Sequence, residues 1–310
     1  MNGILNVLKP PGMTSSEVVV FLRKKIQIRK IGHTGTLDPE AAGVLPVCIG
    51  KATRLADYIM HQDKTYRCYM KLGITTDSYD QTGKKLKRSD TIPTLEKIEF
   101  ALEKFQGEMD QVPPMHSAIK IGGKKLYELA RQGIEIEREP RKIWIKRTSL
   151  ISFMPPDMVL FDIICSKGTY IRSLCNDIGQ FLGCGAVMAY LIRTSSGIFH
   201  LNNSHTLDEI CIAKKNNKLN SLLVPMEEAL EGIMPSIFLK NDCKEIISRG
   251  NLADESCIVK ISELANDLFY SNKVSSQTLY RVFCGNVFMG IGYLRIHNNK
   301  MVVQMKKVLI

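Results

Sequence analysis

Apolar and polar residues recur at two different spacings along this chain, and the spacings predict both strands and helices. Residues 65–72 alternate strictly, with every second side chain from Tyr66 to Leu72 apolar, which is typical of a strand with one buried face. Apolar residues at helical spacing follow Thr14 and again follow Thr94, and each threonine suits the N-cap of a helix. The chain therefore combines strands with amphipathic helices, which favours a mixed α/β class.

Other apolar runs extend this pattern. Strands are predicted at residues 3–8, 44–49, 157–165 and 186–192, and helices at residues 53–60 and 170–182.

The last quarter of the chain has a different pattern. A turn-rich stretch at residues 232–236 precedes residues 237–310, where short apolar runs are separated by turn signals. These signals are Gly250, Gly285, Gly290-Ile291-Gly292 and Asn298-Asn299. We therefore expect a large domain over residues 1–236 and a small, mostly-β domain over residues 237–310.

Basic residues are in excess and are concentrated in one stretch. The 310-residue chain has a formal net charge of +11, and residues 111–147 hold nine Lys/Arg against four Asp/Glu. Because that stretch is also broken by Pro113-Pro114 and Gly122-Gly123, it is predicted to project from the sheet as an insertion. The charge fits either a lysine-rich surface or a polyanionic partner such as nucleic acid, and by itself leaves both open.

Composition and cysteine spacing exclude several classes of protein. Hydrophobic residues at 45% and charged residues at 24% are typical of a globular chain. The nine cysteines include no C-x-x-C pair, which predicts reduced thiols in the cytoplasm rather than a disulfide framework or a zinc site. Neither a secretory signal nor a membrane span of about 18–20 apolar residues is expected.

The candidate chemistry lies in residues 32–50, which are rich in glycine and proline and contain one acid pair, Asp38 and Glu40. Pro39 biases Asp38 toward extended backbone, so the carboxylate is able to point into a cleft, although Asp-Pro also starts turns. Neither a Walker phosphate loop, a G-x-G-x-x-G fingerprint nor a G-x-S-x-G elbow is present. A carboxylate that acts without a cofactor remains, beside the alternative that Asp38 only forms a turn.

Residues 32–54, GHTGTLDPEAAGVLPVCIGKATR, resemble the catalytic motif of the bacterial tRNA pseudouridine synthase B (TruB) family. Further motifs of that family are matched in the same order along the chain. Residues 9–15 resemble its opening motif, 64–77 its tyrosine motif, 113–120 with 127–131 its RNA-gripping insertion, 168–174 its arginine motif and 191–194 its leucine motif. The last module resembles a PUA RNA-binding domain.

The resemblance implies an α/β (α+β) fold with a mixed, largely antiparallel central sheet. It implies a catalytic domain at residues 1–236 with the insertion at 111–147, followed by a PUA-like domain at 237–310. The implied reaction converts uridine 55 in the T arm of tRNA to pseudouridine: the base flips out, the N1–C1′ bond breaks and C5 joins C1′. No cofactor and no metal are implied, and we expect a cytoplasmic monomer that binds the tRNA T-arm stem-loop and no membrane.

The resemblance also assigns residues to catalytic positions, namely Asp38, Tyr66, Arg172 and Leu191. Asp38 matches the catalytic aspartate, and Arg172 the arginine that pairs with it, as a guanidinium fork suits a carboxylate. Tyr66 matches the tyrosine that stacks on the target base, and Leu191 the leucine beneath that base. A carboxylate near C1′ is able to attack it, to stabilise an oxocarbenium-like state or to take a sugar proton, and all three remain open.

A second group matches RNA-binding positions: His33, Lys9, Lys120, Lys124, Lys125 and Arg131. His33 matches the histidine that enters the T loop as the base flips out, a step that costs a few kcal/mol. The lysines of the insertion and Arg131 equally suit a solvated surface. Two alternatives share these motifs: a tRNA-folding chaperone whose main role is RNA binding, and a related synthase that acts on another RNA.

Overall fold

The computed structural model describes residues 1–130, 132–262 and 278–310. In this part of the chain the helices are α1 Ser15–Ile26, α2 Ala56–Met60, α3 Leu95–Lys104, α4 Leu126–Ala130, α5 Ile171–Phe181, α6 Leu207–Lys215 and α7 Lys244–Ser248. The strands are β1 Gly3–Lys9, β2 Ile31–His33, β3 Ala42–Ile49, β4 Lys64–Leu72, β5 Ile74–Thr76, β6 Lys85–Arg88, β7 Gly107–Gln111, β8 Lys120–Ile121, β9 Lys124–Lys125, β10 Arg141–Met154, β11 Met158–Cys165, β12 Ala186–Ser196, β13 Phe199–His200, β14 Leu223–Val224, β15 Ser236–Leu239, β16 Ala253–Asp254, β17 Ile258–Ser262, β18 Leu279–Cys284, β19 Val287–His297 and β20 Lys300–Val308.

A ten-stranded sheet forms the larger part of the molecule. Its main path runs β14-β1-β3-β12-β4-β11-β10-β7, with β2 beside β3 and β13 beside β12. Every pairing in this sheet is antiparallel except that of β12 with β3, which is parallel. The expected mixed, largely antiparallel sheet is therefore confirmed, and β3, β12 and β4 lie side by side at its centre.

The alternating stretch predicted at residues 65–72 is confirmed as β4. Its apolar face, from Tyr66 to Leu72, is buried, whereas Arg67 on the opposite face is exposed. Helices α3 and α5 cover the buried face and contribute side chains such as Leu102 and Leu174 to one apolar cluster. The periodicity of the sequence thus correctly indicates which face of β4 the helices cover.

Helix α1 begins where the sequence predicts, because a capping box fixes its start. The Thr14 hydroxyl accepts a hydrogen bond from the backbone N–H of Glu17, and the Glu17 carboxylate accepts one from the N–H of Thr14. These two bonds satisfy amide groups that the first helical turn leaves unpaired. The helix packs Leu22 and Ile26 into a core shared with β1 and β3, which places Ser15 beside the loop that precedes β3.

The predicted insertion leaves the main sheet and returns to it at one point. Gln111 at the end of β7 is paired with Arg141 at the start of β10, so residues 112–140 form the excursion and 141–147 belong to the sheet. The excursion has a small apolar core of its own around Met115, Leu126 and Leu129.

The C-terminal part is β-rich, as expected, and forms a second sheet in the order β16-β20-β19-β18-β15-β17. The turn predicted at Gly290-Ile291-Gly292 is wrong, because these residues lie inside β19. Gly290 has φ +138°, and a Cβ there would lie 2.0 Å from the carbonyl oxygen of Lys307, so glycine allows close approach of β20. The other predicted turns form with positive φ at Gly250, Gly285, Asn298 and Asn299.

The two sheets share an apolar core. One apolar cluster contains side chains from both parts of the chain. The C-terminal part contributes Phe288, Ile291 and Leu309. The main sheet and its neighbouring segments contribute Ile4 and Leu55, among others. Polar contacts follow the same seam, since Lys307 Nζ donates to the carbonyl of Arg54 at 2.6 Å and Arg54 Nη1 donates to the carbonyl of Val308 at 2.6 Å.

The expectation of reduced cysteines is wrong at one pair. Cys243 and Cys257 form a disulfide, because the fold of the C-terminal part brings their Cα atoms to 6.3 Å although they stand 14 positions apart. Each cysteine ends a short 3-10 helix, residues 241–243 and 255–257. The seven other cysteines are free thiols. No helix in the described ranges is long and apolar enough to cross a membrane.

We expect the shared core to make the two parts unfold together. Leu309→Ala removes a side chain that is 2% exposed and should lower the free energy of unfolding by about 2–4 kcal/mol. The neighbouring Ile310→Ala, at an exposed position, should change it by less than about 0.5 kcal/mol. Urea unfolding followed by circular dichroism checks this. Two separate transitions in the wild type, or equal effects of the two variants, would contradict a shared core.

Candidate active site

Asp38 lies in a loop, residues 34–41 (the Asp38 loop), that crosses from β2 to β3 and is fastened by buried polar groups. Thr34 donates through its backbone N–H to the carbonyl of Pro46 at 3.0 Å. The hydroxyl of Ser15 accepts from the N–H of Leu37 at 2.9 Å and donates to the carbonyl of the same residue at 3.3 Å. These bonds satisfy backbone groups that a glycine- and proline-rich loop cannot pair within itself.

Lys9 fastens the far end of the Asp38 loop. Its side chain is fully buried, and Nζ donates to the carbonyls of Met13 at 2.5 Å, Pro10 at 2.8 Å and Pro39 at 2.9 Å. Burial lowers the pKa of Lys9 to about 8, against the opposing attraction of Glu40 and Asp38. Three backbone carbonyls accept from the ammonium group, so Lys9 lies beneath the loop, and its assignment to RNA binding stays a prediction.

An ion pair joins Asp38 to α5. Arg172 Nη2 donates to Asp38 Oδ1 at 3.0 Å, and Arg172 Nε lies 2.9 Å from Asp38 Oδ2. The arginine side chain is 6% exposed and the aspartate side chain 36% exposed. The guanidinium is therefore enclosed while the carboxylate keeps an open side, an arrangement that leaves Asp38 accessible to a substrate.

Sequence reasoning missed the groups that surround Arg172 on its other sides. Asp80 Oδ2 lies 3.7 Å from Arg172 Nη1, and the carbonyls of His116 and Ser78 accept from the guanidinium at 2.8 and 3.4 Å. Residues 76–83, TDSYDQTG, could have indicated these groups, because the segment concentrates acids and hydroxyls at the end of β5 and just after it. Asp80 is itself held by the hydroxyls of Ser78 and Thr82 at 2.7 and 2.6 Å.

The first turn of α5 is also tied to the root of the insertion. The side-chain amide of Gln111 exchanges two hydrogen bonds with the backbone of Tyr170, at 2.8 and 3.0 Å. The hydroxyl of Ser173 donates to the carbonyl of Val112 at 3.0 Å. Together with the bond from Arg172 to His116, these contacts connect the orientation of the insertion to the helix that carries the arginine.

Tyr66 and Leu191 lie on neighbouring central strands and on the same face as Arg172. In the register of β4 with β12, Leu191 is opposite Cys68 and Tyr66 is opposite Arg193. Both side chains belong to the apolar cluster that also includes Leu37, yet each keeps 7–8% exposure. Burial raises the pKa of Tyr66, so the phenol is neutral at pH 7.

His33 ends β2 at the start of the Asp38 loop. Its Nδ1 accepts from the N–H of Gly35 at 3.4 Å, and burial followed by the nearby Arg193 charge lowers its pKa. The imidazole is therefore neutral at pH 7, and it is half-buried beside the loop.

The basic candidates of the insertion lie on a separate hairpin. Lys120 and Lys124 are exposed on β8 and β9, which are joined by Gly122 and Gly123, both with positive φ. Arg131 and the side chain of Lys125 lie outside the described residues. No cluster of three or more metal-ligating side chains occurs in the described ranges.

Two family models match consecutive parts of the chain. The family model for the TruB family pseudouridylate synthase (N terminal domain) matches residues 23–171, and that for the tRNA pseudouridylate synthase B C-terminal domain matches residues 172–231. The tRNA pseudouridine synthase B of Clostridioides difficile (strain 630) is 42% identical over 100% of both chains. That of Symbiobacterium thermophilum is 50% identical over 76% of this chain and 78% of its own.

Solved structures give the same fold. A crystal structure of a Cbf5-Nop10-Gar1 complex matches with a TM-score of 0.75 and 28% identity, covering 99% of this chain and 85% of that chain. An H/ACA RNP bound to a substrate RNA containing 2′-deoxyuridine matches with a TM-score of 0.73 and 26% identity. Because both family models and full-length relatives match in this way, the chain belongs to the TruB family of pseudouridylate synthases.

Proposed function

We propose that this pseudouridine synthase isomerises uridine 55 in the T arm of tRNA, with Asp38 as the catalytic carboxylate. The observation that carries the proposal is the Asp38 carboxylate, which is open on one side and held on the other by a buried guanidinium. Relatives named tRNA pseudouridine synthase B, 42–50% identical, support tRNA as the substrate. A carboxylate at this position acts on C1′ of the target nucleotide, either as nucleophile or base or by stabilising an oxocarbenium-like state.

The neighbouring side chains suit a flipped uracil. Tyr66 offers an aromatic face and Leu191 an apolar one, on adjacent strands and beside the Asp38 loop. A base must leave the helical stack to reach them, which costs a few kcal/mol, and the half-buried neutral ring of His33 is suited to fill the space it leaves. The protein's own side chains thus supply the stacking and apolar surfaces for the flipped base.

RNA binding is assigned to two basic parts of the chain. The exposed lysines of the β8–β9 hairpin project from an insertion whose root touches Arg172. Residues 237–310, with ten Lys/Arg against six Asp/Glu, are proposed as a second RNA-binding, PUA-like domain after a catalytic domain at 1–236. Such a protein acts as a monomer in the cytoplasm, where its tRNA substrate is found.

The Asp38→Asn variant separates catalysis from RNA binding. It keeps the shape of the side chain but removes its charge, so pseudouridine formation should fall by about 10³-fold or more while T-arm affinity stays within about threefold. Tritium release from a T-arm minihelix labelled at C5 of uridine 55, with parallel filter binding, measures both. Absence of release by the wild type would contradict the proposed substrate.

The same variant tests the folding-chaperone alternative in cells. If catalysis is the main role, a strain that carries only Asp38→Asn should grow like a deletion strain. Full restoration of growth by Asp38→Asn would instead show that RNA binding is the main role.

Asp80→Asn tests the second acid beside Arg172. The amide keeps an oxygen for Ser78 and Thr82 but loses the charge that faces the guanidinium, so kcat should fall by about 10–100-fold with little change in KM. Asp77→Asn is the matched control, because the Asp77 side chain accepts from the N–H of Lys84 and makes no contact with Arg172. Equal activity of the two variants would exclude a role for Asp80 in positioning Arg172.

The insertion hairpin is tested by its salt dependence. Lys120→Gln with Lys124→Gln should raise KM for full tRNA and reduce the slope of log affinity against log salt by about 1–2, with kcat unchanged. Lys97→Gln with Lys104→Gln, two exposed lysines on α3, makes the same change in net charge elsewhere. The same loss of slope in both double variants would show a general charge effect, not a contact by the hairpin.

A further inference from the structure

Arg193 is a buried arginine that the motif comparison leaves without a role. It lies on β12, two residues beyond Leu191, and is 1% exposed. Its Nε donates to the carbonyl of Val44 at 2.7 Å, and its two terminal nitrogens lie 3.3 and 3.4 Å from the carbonyls of Gly35 and Thr36. One guanidinium thus holds the start of the Asp38 loop and the start of β3.

The charge of Arg193 is not balanced by an acid. No carboxylate in the described part of the chain lies within 4.0 Å of its guanidinium. The titratable groups that feel its charge include three basic ones, Lys9 on β1, His33 on β2 and Lys64 on β4, and the Arg193 charge lowers the pKa of each. A buried cation without a carboxylate partner is costly even when carbonyls accept its hydrogen bonds, so packing alone does not account for this arginine.

Arg193 also faces Tyr66. The two residues are paired across β12 and β4, so their side chains lie on the same face of the sheet, and the Arg193 charge opposes the burial that raises the pKa of Tyr66. A guanidinium has only donors, so any hydrogen bond between the two side chains is accepted by the phenol oxygen and leaves the phenol proton for another acceptor. The other titratable groups near this phenol are Cys165 on β11 and Asp38 in its loop.

The backbone around Arg193 is fitted closely to the loop. A Cβ on Gly43 would lie 2.2 Å from the carbonyl oxygen of Arg193, and Gly43 has φ +113°. Gly35, with φ +148°, leaves its Cβ position 3.6 Å from Arg193 Nη1. Arg193 therefore contacts the start of the Asp38 loop through its side chain at Gly35 and the start of β3 through its backbone at Gly43.

We propose that Arg193 is a positioning residue that fixes the Tyr66 ring and the Asp38 loop relative to each other, and that it keeps the Tyr66 phenol as a hydrogen-bond donor toward the uracil. This inference rests on the proposed function, because Arg193 would hold both the loop that carries the catalytic carboxylate and the tyrosine that stacks on the base. Lysine cannot replace the arginine in this role, because a single ammonium cannot present donors to the carbonyls of Gly35, Thr36 and Val44 in the spread, planar arrangement of a guanidinium.

The first test is a double-mutant cycle of Arg193→Lys with Tyr66→Phe on the T-arm minihelix. Arg193→Lys keeps the charge but loosens the support, so kcat should fall by about 100-fold while KM changes less than about threefold. If Arg193 acts through Tyr66, the combined loss should be smaller than the product of the single losses by about tenfold. Multiplicative losses, or an unchanged kcat in Arg193→Lys, would overturn the proposal.

Lys64→Arg is the matched control for exchange of one buried cation for another. Lys64 is 5% exposed, has its pKa lowered by burial and then by the Arg193 charge, and donates to the carbonyls of Met60 and Gln62, which lie outside the Asp38 loop. The control should lower the melting temperature but leave kcat unchanged. If both variants lower kcat in proportion to their loss of melting temperature, Arg193 is only a structural residue.

The second test needs no turnover, so its failure is distinct from failure of the proposed function. The positive charge of Arg193 favours the phenolate, and removing it in Arg193→Met should raise the pKa of Tyr66 further, as followed by ¹³C NMR of labelled tyrosine in the free protein. An unchanged Tyr66 titration in Arg193→Met would refute the contact. If Arg193→Met does not fold, the same titration in Arg193→Lys should still shift, because the fork that reaches the phenol is lost.

Discussion

The ion pair between Asp38 and Arg172 is the interaction on which the arrangement of the site depends. It joins a loop between β2 and β3 to a helix that begins more than a hundred residues later. The same guanidinium contacts Ser78, Asp80 and the carbonyl of His116, so four separate segments meet at one charge. Burying such a charge is tolerable only when acids and carbonyls surround it, and removal of a partner leaves the penalty uncompensated. The arginine is therefore enclosed, whereas the carboxylate keeps an exposed side.

The Asp38 loop is also held in place by two buried cations that lie beneath it. Lys9 holds its distal end at Pro39, and Arg193 holds its proximal end at Gly35 and Thr36. Both groups use backbone carbonyls as partners, which fixes the loop without adding acids that would compete for Arg172. The consequence is a positively charged interior beneath the Asp38 loop, at the expense of the stability that apolar residues of the same size would supply.

Local patterns in the sequence predicted those parts of the fold that local physics decides. The alternation of residues 65–72 and the Thr14–Glu17 capping box each depend on neighbours in the chain, and both are confirmed. The turn predicted at Gly290 is wrong because glycine is required there by a carbonyl on β20, a contact between distant residues. The Cys243–Cys257 pair likewise depends on packing that cysteine spacing does not reveal. At the site, the resemblance brought Asp38 and Arg172 together, whereas Asp80 and the burial of Lys9 emerged only from the tertiary contacts.

We propose that the fork of Arg172 orients the Asp38 carboxylate for reaction rather than for RNA binding. The single-turnover rate of pseudouridine formation by Arg172→Lys on a T-arm minihelix, with the dissociation constant measured in parallel, tests this. Lysine keeps the positive charge but loses the fork, so we expect a rate lower by about 100-fold at an unchanged dissociation constant. A rate near that of the wild type, or a loss confined to binding, would contradict it.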